Sequence, residues 1–209
     1  MKGSKKMKNT TNVDKYRRLA PIYDLFMKNR LFLNARSKAF ALLNIKPDDR
    51  VLLVGIGTGI DISLLPQDCN IVGIDISEEM LKKARRKCRD CNVNLFNMNA
   101  ESLQFDSNTF DYIVLNLILS VVENPKKALS EAVRVLSADG KVLIFDKFVT
   151  NQDQISVGRK IFNKITSFIG TDINRKFEDI AEGIPIRILL NESSIFGGNF
   201  KIIMLEKQC

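Results

Sequence analysis

From Arg50 onward, short apolar runs alternate with amphipathic stretches along the chain. Val51-Leu52-Leu53-Val54 is a continuous apolar run, as a parallel strand covered on both faces would be. Ile71-Val72-Gly73-Ile74, Val93 to Met98, Phe110 to Leu117 and Lys141 to Phe145 repeat the pattern and are predicted as four further strands. Between them lie predicted helices: a short one after Gly59, one from the N-capping Ser77 to about Arg89, and one from Asn124-Pro125 to about Leu136. Asp139-Gly140 is read as the turn into the fifth strand. This interval of strand and helix predicts an α/β fold with a doubly wound, mostly parallel sheet and right-handed crossovers.

The flanks follow other patterns. Residues 1–12 are polar and basic and are expected to form a disordered tail. Tyr16, Leu19, Ala20, Tyr23, Phe26 and Met27 recur at helical spacing, with Pro21 breaking the run, and Leu31 to Ile45 reads as an amphipathic helix with Leu33, Phe40, Ala41 and Leu43 on its apolar face. Ile155 to Ile169 is again helical in period, and Asp172 to Ala181 predicts a short helix. Ile184 to Leu190 and Phe200 to Leu205, joined through Phe196-Gly197-Gly198-Asn199, predict a C-terminal antiparallel hairpin. The expected organisation is one domain over 13–209, with a helical cap (13–45), a core (46–150) and a helical insertion plus hairpin (151–209).

At 209 residues the chain suits a single domain. No apolar run reaches the roughly 18 residues needed to span a bilayer, and the first residues lack the apolar core of a signal peptide, so a cytoplasmic location is expected. Four cysteines and no histidine offer neither a disulfide framework nor a convincing metal set, although Cys88-Arg89-Asp90-Cys91 has ligand spacing. No metal is expected, and the commonest general base is missing. The net charge is +8, and up to Arg50 thirteen Lys and Arg face only four acids. That basic quarter suits a phosphate-rich partner, either an anionic membrane surface at the inner face of the membrane or nucleic acid. No recognised RNA-binding module accompanies it, which argues against nucleic acid.

Candidate chemistry centres on Gly55, Gly57 and Gly59, directly after the first strand. Their spacing allows a tight turn and close approach of a ligand to the main chain. Asp75 ends the second strand 20 residues after Gly55, where a carboxylate can accept hydrogen bonds from a ribose. A purely structural turn is the alternative.

The sequence G-I-G-T-G followed by IVGIDIS resembles the first two motifs of class I S-adenosylmethionine-dependent methyltransferases, which have a Rossmann-like fold. The resemblance extends over nearly the whole chain from Tyr16. YRRLAPIYD is similar to the N-terminal signature of quinone-type and phospholipid-type members, and FDYIVLNLILSVVENPKKALSEAVRVLSADGKVLIFDKF to the fourth motif, its helix and the fifth strand. LILSVVENP and DKF lean toward bacterial phosphatidylethanolamine N-methyltransferases. The resemblance implies S-adenosyl-L-methionine as cofactor. It sets Gly55, Ile56 and Gly57 against the amino-acid part, with Thr58 and Gly59 shaping the loop. Asp75 would hold the ribose, Ile76 and Met80 the adenine face, and Asn99 and Ala100 its polar edge. Asn116 would lie at the methionine end, with Tyr23 covering the cofactor. Tyr16, Tyr23 or Asp146 would hold or deprotonate an amine acceptor.

The chain also departs from that pattern. Leu53 replaces an acid that usually organises the cofactor's amino end, and Asn99 replaces an aspartate. The expected function is N-methylation of a phospholipid amine such as phosphatidylethanolamine. A soluble enzyme acting on a small molecule or quinone precursor, and a non-catalytic binding module, are the alternatives.

Overall fold

A computed structural model of the chain describes residues 29–88, 92–149, 175–195 and 198–208. The expected tail, the helical stretch carrying Tyr16 and Tyr23, the 155–169 segment and Cys91 lie outside them. Within the described residues, seven strands form one sheet: β1 (Arg50–Val54), β2 (Asn70–Asp75), β3 (Val93–Asn97), β4 (Phe110–Asn116), β5 (Leu136–Lys147), β6 (Ile186–Ser193) and β7 (Phe200–Lys207). Their order is β3-β2-β1-β4-β5-β7-β6. The first five are parallel, while β7 runs antiparallel to both β5 and β6, so the mostly parallel sheet with its terminal hairpin is as the sequence indicates.

Among the described residues four helices accompany the sheet: α1 (Arg30–Phe40), α2 (Glu78–Lys87), α3 (Pro125–Val135) and α4 (Phe177–Ala181). The short helix after the glycines is a 3-10 turn, Ile60–Leu64. Capping follows from local chemistry: the Ser77 hydroxyl accepts from Met80 N–H at 3.4 Å, and the Asn124 side chain accepts from Lys127 N–H at 3.0 Å with Pro125 in the first turn.

The continuous apolar strands are explained by cover on both faces. Leu52, Val54, Ile113, Leu115, Val142 and Ile144 point toward α3 and α4. Val51, Leu53, Val114, Leu143 and Phe145 point toward α1 and α2. Period-two alternation is thus hidden in the sequence, because inward positions on either face are apolar. On the α1 face, Phe200 stacks on Phe145 at 5.5 Å and meets Phe32 edge-on at 5.3 Å. These contacts fix the angle at which α1 crosses the sheet.

Among the boundaries that differ from expectation, two bear on the packing of the sheet. The helix predicted to reach Ile45 ends at Phe40, and its buried face is Phe32, Ala35, Arg36, Ala39 and Phe40 rather than one containing Leu33 and Ala41. The fifth strand starts at Leu136 instead of Lys141, because its register with β4 jumps between Phe110↔Leu136 and Tyr112↔Lys141. Gly140 sits inside this bulge, where a Cβ would come within 2.8 Å of the Asp111 carbonyl oxygen.

Candidate active site

The strand order reverses between β1 and β4, and the C-terminal ends of these two strands frame a crevice, the usual ligand position in such sheets. The glycine loop closes one side. Gly55 has φ +70°, and a Cβ there would stand 2.7 Å from Ile118 Cδ1, so the β1 exit needs glycine on both conformational and steric grounds. Gly57, at φ +56°, differs: a Cβ would find nothing within 4 Å. The loop is open to a ligand at Gly57.

The loop is held by its own main chain. Gly55 and Ile56 N–H both donate to Ile74 O at 2.9 Å, and Gly57 N–H donates to Asp75 Oδ2 at 2.9 Å. Asp75 Oδ1 accepts from Ser77 N–H at 2.8 Å. Burial pushes the Asp75 carboxyl above its ordinary value, and these two N–H donors work against that rise. Asp75 thus clamps the glycine loop to the β2 end while each oxygen keeps further acceptor capacity. Thr58, buried, accepts from Lys87 Nζ at 2.9 Å, which ties the basic end of α2 to the loop.

Beside Asp75, Ile76 is exposed and offers an apolar surface, while Met80 is buried beneath it on α2. Asn99 uses its carbonyl oxygen to accept from Glu101 N–H at 2.9 Å in a local turn, and Ala100 is packed into the core. Across the loop, Asn116 ends β4, and Leu117 follows at φ +55°, a costly left-handed conformation for a leucine that turns the chain out of the sheet.

Asp146, one of the residues expected to handle an amine acceptor, lies near the end of β5. It is fully buried, with Oδ2 accepting from Ser120 N–H at 3.0 Å and Oδ1 from Lys147 N–H at 2.7 Å. It fastens the loop after β4 to the end of β5, and burial raises its pKa. Its neighbour Lys147 lies 5.5 Å from the centre of the Phe200 ring, and burial pulls its pKa down to about 8 against the opposing pull of Asp146. Tyr16 and Tyr23 lie outside the described residues.

Two residues absent from the sequence-based site stand at the crevice. Arg36 of α1 is 4% exposed, and its Nε lies 3.2 Å from Asp61 Oδ1, while Asn116 Nδ2 donates to Asp61 Oδ2 at 2.7 Å. Arg36 Nε and Nη2, Asp61 Oδ1 and Asn116 Oδ1 are all buried without a hydrogen-bond partner. Arg36 was hidden among the basic residues of the first quarter, and Asp61 has no motif around it beyond following the glycines. Only the helix phase of α1 brings them together.

Among the described residues no cluster of three or more His, Cys, Asp or Glu gathers to hold a metal, and no helix is long and apolar enough to cross a membrane.

A glycine loop open at Gly57, an acid at the second strand end and a reversal of strand order define a Rossmann-like nucleotide-binding α/β protein. Residues 52–144 match the family model described as a methyltransferase domain. The chain is 28% identical to a phosphatidylethanolamine N-methyltransferase of Cereibacter sphaeroides, over 92% of its length and 96% of the relative's. It is 27% identical to a demethylmenaquinone methyltransferase of Listeria welshimeri over 74% of its length and 68% of the relative's. The chain solved in complex with the Haloferax volcanii Trm112 methyltransferase activator superposes with a TM-score of 0.78 at 15% identity, over 94% of this chain and 98% of that one. Over residues 52–144 the chain is thus similar to the S-adenosylmethionine-dependent methyltransferases, and S-adenosylmethionine is the methyl donor that this similarity implies.

Proposed function

We propose that the protein transfers a methyl group from S-adenosylmethionine to the amine of a phospholipid head group such as phosphatidylethanolamine. The observation that carries this reading is the similarity to a phosphatidylethanolamine N-methyltransferase over 96% of that relative's length. The basic first quarter supports it, since an anionic membrane surface attracts such a segment.

The cofactor, when bound, supplies an electrophilic methyl on a sulfonium. The chain then has to align the acceptor in line with it and exclude water. In this reading Asp75 accepts from the ribose hydroxyls, and the adenine lies on Ile76 with Met80 beneath. Asn99 and Ala100 meet the adenine edge, and Gly55, Ile56, Gly57, Thr58 and Gly59 shape the floor. Tyr23 covers the cofactor, and Tyr16 or Tyr23 holds the amine as it loses its proton, because the Asp146 carboxylate is closed off beneath its loop.

The test is transfer of labelled methyl to vesicles of phosphatidylethanolamine mixed with an anionic lipid. Methylated head groups support the reading; absence of both vesicle binding and lipid methylation overturns it. The similarity to a demethylmenaquinone methyltransferase favours a second reading, a soluble enzyme acting on a quinone precursor or other small molecule, which predicts turnover without lipid. Peripheral attachment at the inner face of the membrane belongs to the first reading alone.

A further inference from the structure

The strand at the outer edge of the sheet, β6, carries a pattern that the fold itself does not use. Among the described residues it pairs with β7 alone, so one side of its eight-residue backbone faces away from the sheet. Natural proteins usually keep such edges short, or interrupt them with proline or lysine. β6, with the sequence IRILLNES, contains neither residue, and it leaves Ile188 45% and Leu189 37% exposed.

A bulge lies between Ile188 and Leu190, where the register with β7 shifts. Bulges commonly protect an edge by twisting it away, but this one has a second result. Arg187 lies opposite Glu206 and Glu192 opposite Ile202, four positions apart on β7, so Arg187 and Glu192 share one face of the sheet. On a regular strand, residues five apart would point to opposite faces. Ile188, opposite Leu205, and Asn191, opposite Ile203, share the other face in the same way. A second β6 laid antiparallel, with a twofold axis between Leu189 and Leu190, therefore sets Arg187 against Glu192 on one face and Ile188 against Asn191 on the other. Leu189 meets Leu190 at the centre.

We propose that β6 is a self-complementary edge through which two copies of this chain associate, their sheets joined by antiparallel β6 strands. Charge selects the occupant. The chain carries a net charge of +8, yet β6 holds one cation and one anion. A polyanion such as nucleic acid or an anionic membrane finds no net attraction along this strand, whereas a second copy meets opposite charges at two symmetric places. Both side chains are exposed. Their contacts within the chain, Arg187 Nε donating to Glu206 Oε1 at 2.7 Å and Lys38 Nζ 3.8 Å from Glu192 Oε2, are surface pairs of small energy that leave room for a further partner. Association covers Ile188 and Leu189 and gives the outward main-chain groups their partners. It is independent of what the crevice binds, because β4, β5 and β7 stand between β1 and β6.

Sedimentation velocity of the full chain from about 1 to 100 µM, the range in which small interfaces associate, is the test. The wild type is expected to pass from monomer to dimer across that range. Arg187→Glu and Glu192→Arg each place two like-charge pairs across the axis, and each is expected to weaken the dimer at least about 10-fold. An equimolar mixture of the two variants restores opposite charges at both places. A heterodimer is therefore expected within about threefold of the wild-type affinity. Contacts inside each variant chain are the same alone and in the mixture, so recovery separates an interface effect from a folding defect. A wild type that stays monomeric throughout overturns the proposal and leaves the edge to a strand of another protein. A dimer that neither variant weakens also overturns it, since the interface then lies elsewhere. Loss of the dimer in both variants without recovery in the mixture refutes the antiparallel register.

Discussion

Two arginine–carboxylate pairs in this protein look alike in a list of contacts and differ in everything else. Arg134 of α3 binds Glu131 through Nε at 2.8 Å and Nη2 at 3.0 Å, and also donates to the carbonyls of Phe105 and Leu103, both at 2.8 Å. Glu131 in turn accepts from Leu103 N–H at 2.8 Å. Every direction of the fork is used, and Arg134 holds the Glu131 carboxyl below its ordinary value. Arg36 and Asp61, more deeply buried, are misaligned and leave donors and acceptors unmet. The first pair completes the protein by stitching the 103–107 loop to α3. The second leaves Arg36 Nε and Nη2 and Asp61 Oδ1 without hydrogen bonds. Burial and proximity do not tell how well an ion pair is satisfied; its unmet donors and acceptors do.

The contrast can be broken in measurable ways. Arg134→Met leaves two carbonyls and the Glu131 charge without their partner, and should cost about 3 kcal/mol in denaturant unfolding. A loss under about 1 kcal/mol would put the two pairs in one class.

A similar size is expected for the buried cation at Lys147, read through pH. Its pKa falls from 10.5 unfolded to about 8 folded. The unfolded chain therefore holds the extra proton between those values, and stability should rise with pH across that window by about 3 kcal/mol. Cys69 and Tyr112, whose pKa values burial raises, act in the opposite sense from about pH 9 upward. The difference between wild type and Lys147→Met isolates the lysine. A difference that stays flat from pH 8 to 10.5 contradicts the burial argument.

Gly55→Ala meets both the left-handed backbone and Ile118, and should cost about 2 kcal/mol, with the melting temperature as readout. Gly57→Ala carries the backbone strain without the clash, so it should cost about 1 kcal/mol and fall mainly on ligand binding. The smallest stability effect belongs to the double change Arg36→Leu with Asp61→Leu. Replacing the ill-satisfied pair with apolar side chains relieves its unmet atoms but strips Asn116 Nδ2 of its acceptor, and the two effects should leave a net shift in unfolding of less than about 1 kcal/mol. A large loss there would show the pair to be structural after all.

Much of this protein can be read along the chain. Apolar runs located the five parallel strands, Ser77 and Asn124 announced the starts of α2 and α3, and the β-rich tail showed the hairpin. The glycine triplet and Asp75, 20 residues on, pointed to the nucleotide side of the crevice, and the motifs around them to the methyltransferases. These signals are local: a turn needs glycine where φ is positive, a cap needs a side-chain acceptor, and a strand covered twice needs unbroken apolarity.

The grouping of Arg36 with Asp61 and Asn116 was not legible in this way. Arg36 reads as one more cation in a basic quarter until the stacking of Phe32, Phe200 and Phe145 sets the phase of α1 and turns that residue inward. Asp146 reads as a rim acid, because its place at a strand end says nothing about the loop folded over it. Asp61 and Asn116 are 55 residues apart and belong to different strand–helix units, so only the adjacency of β1 and β4 brings them within 2.7 Å. The sequence alone determined the elements and the glycine turn with Asp75 at the end of the next strand, through interactions between neighbours in the chain. Which charged groups face the crevice was decided by tertiary packing, because helix phase and strand adjacency come from contacts among residues far apart in sequence.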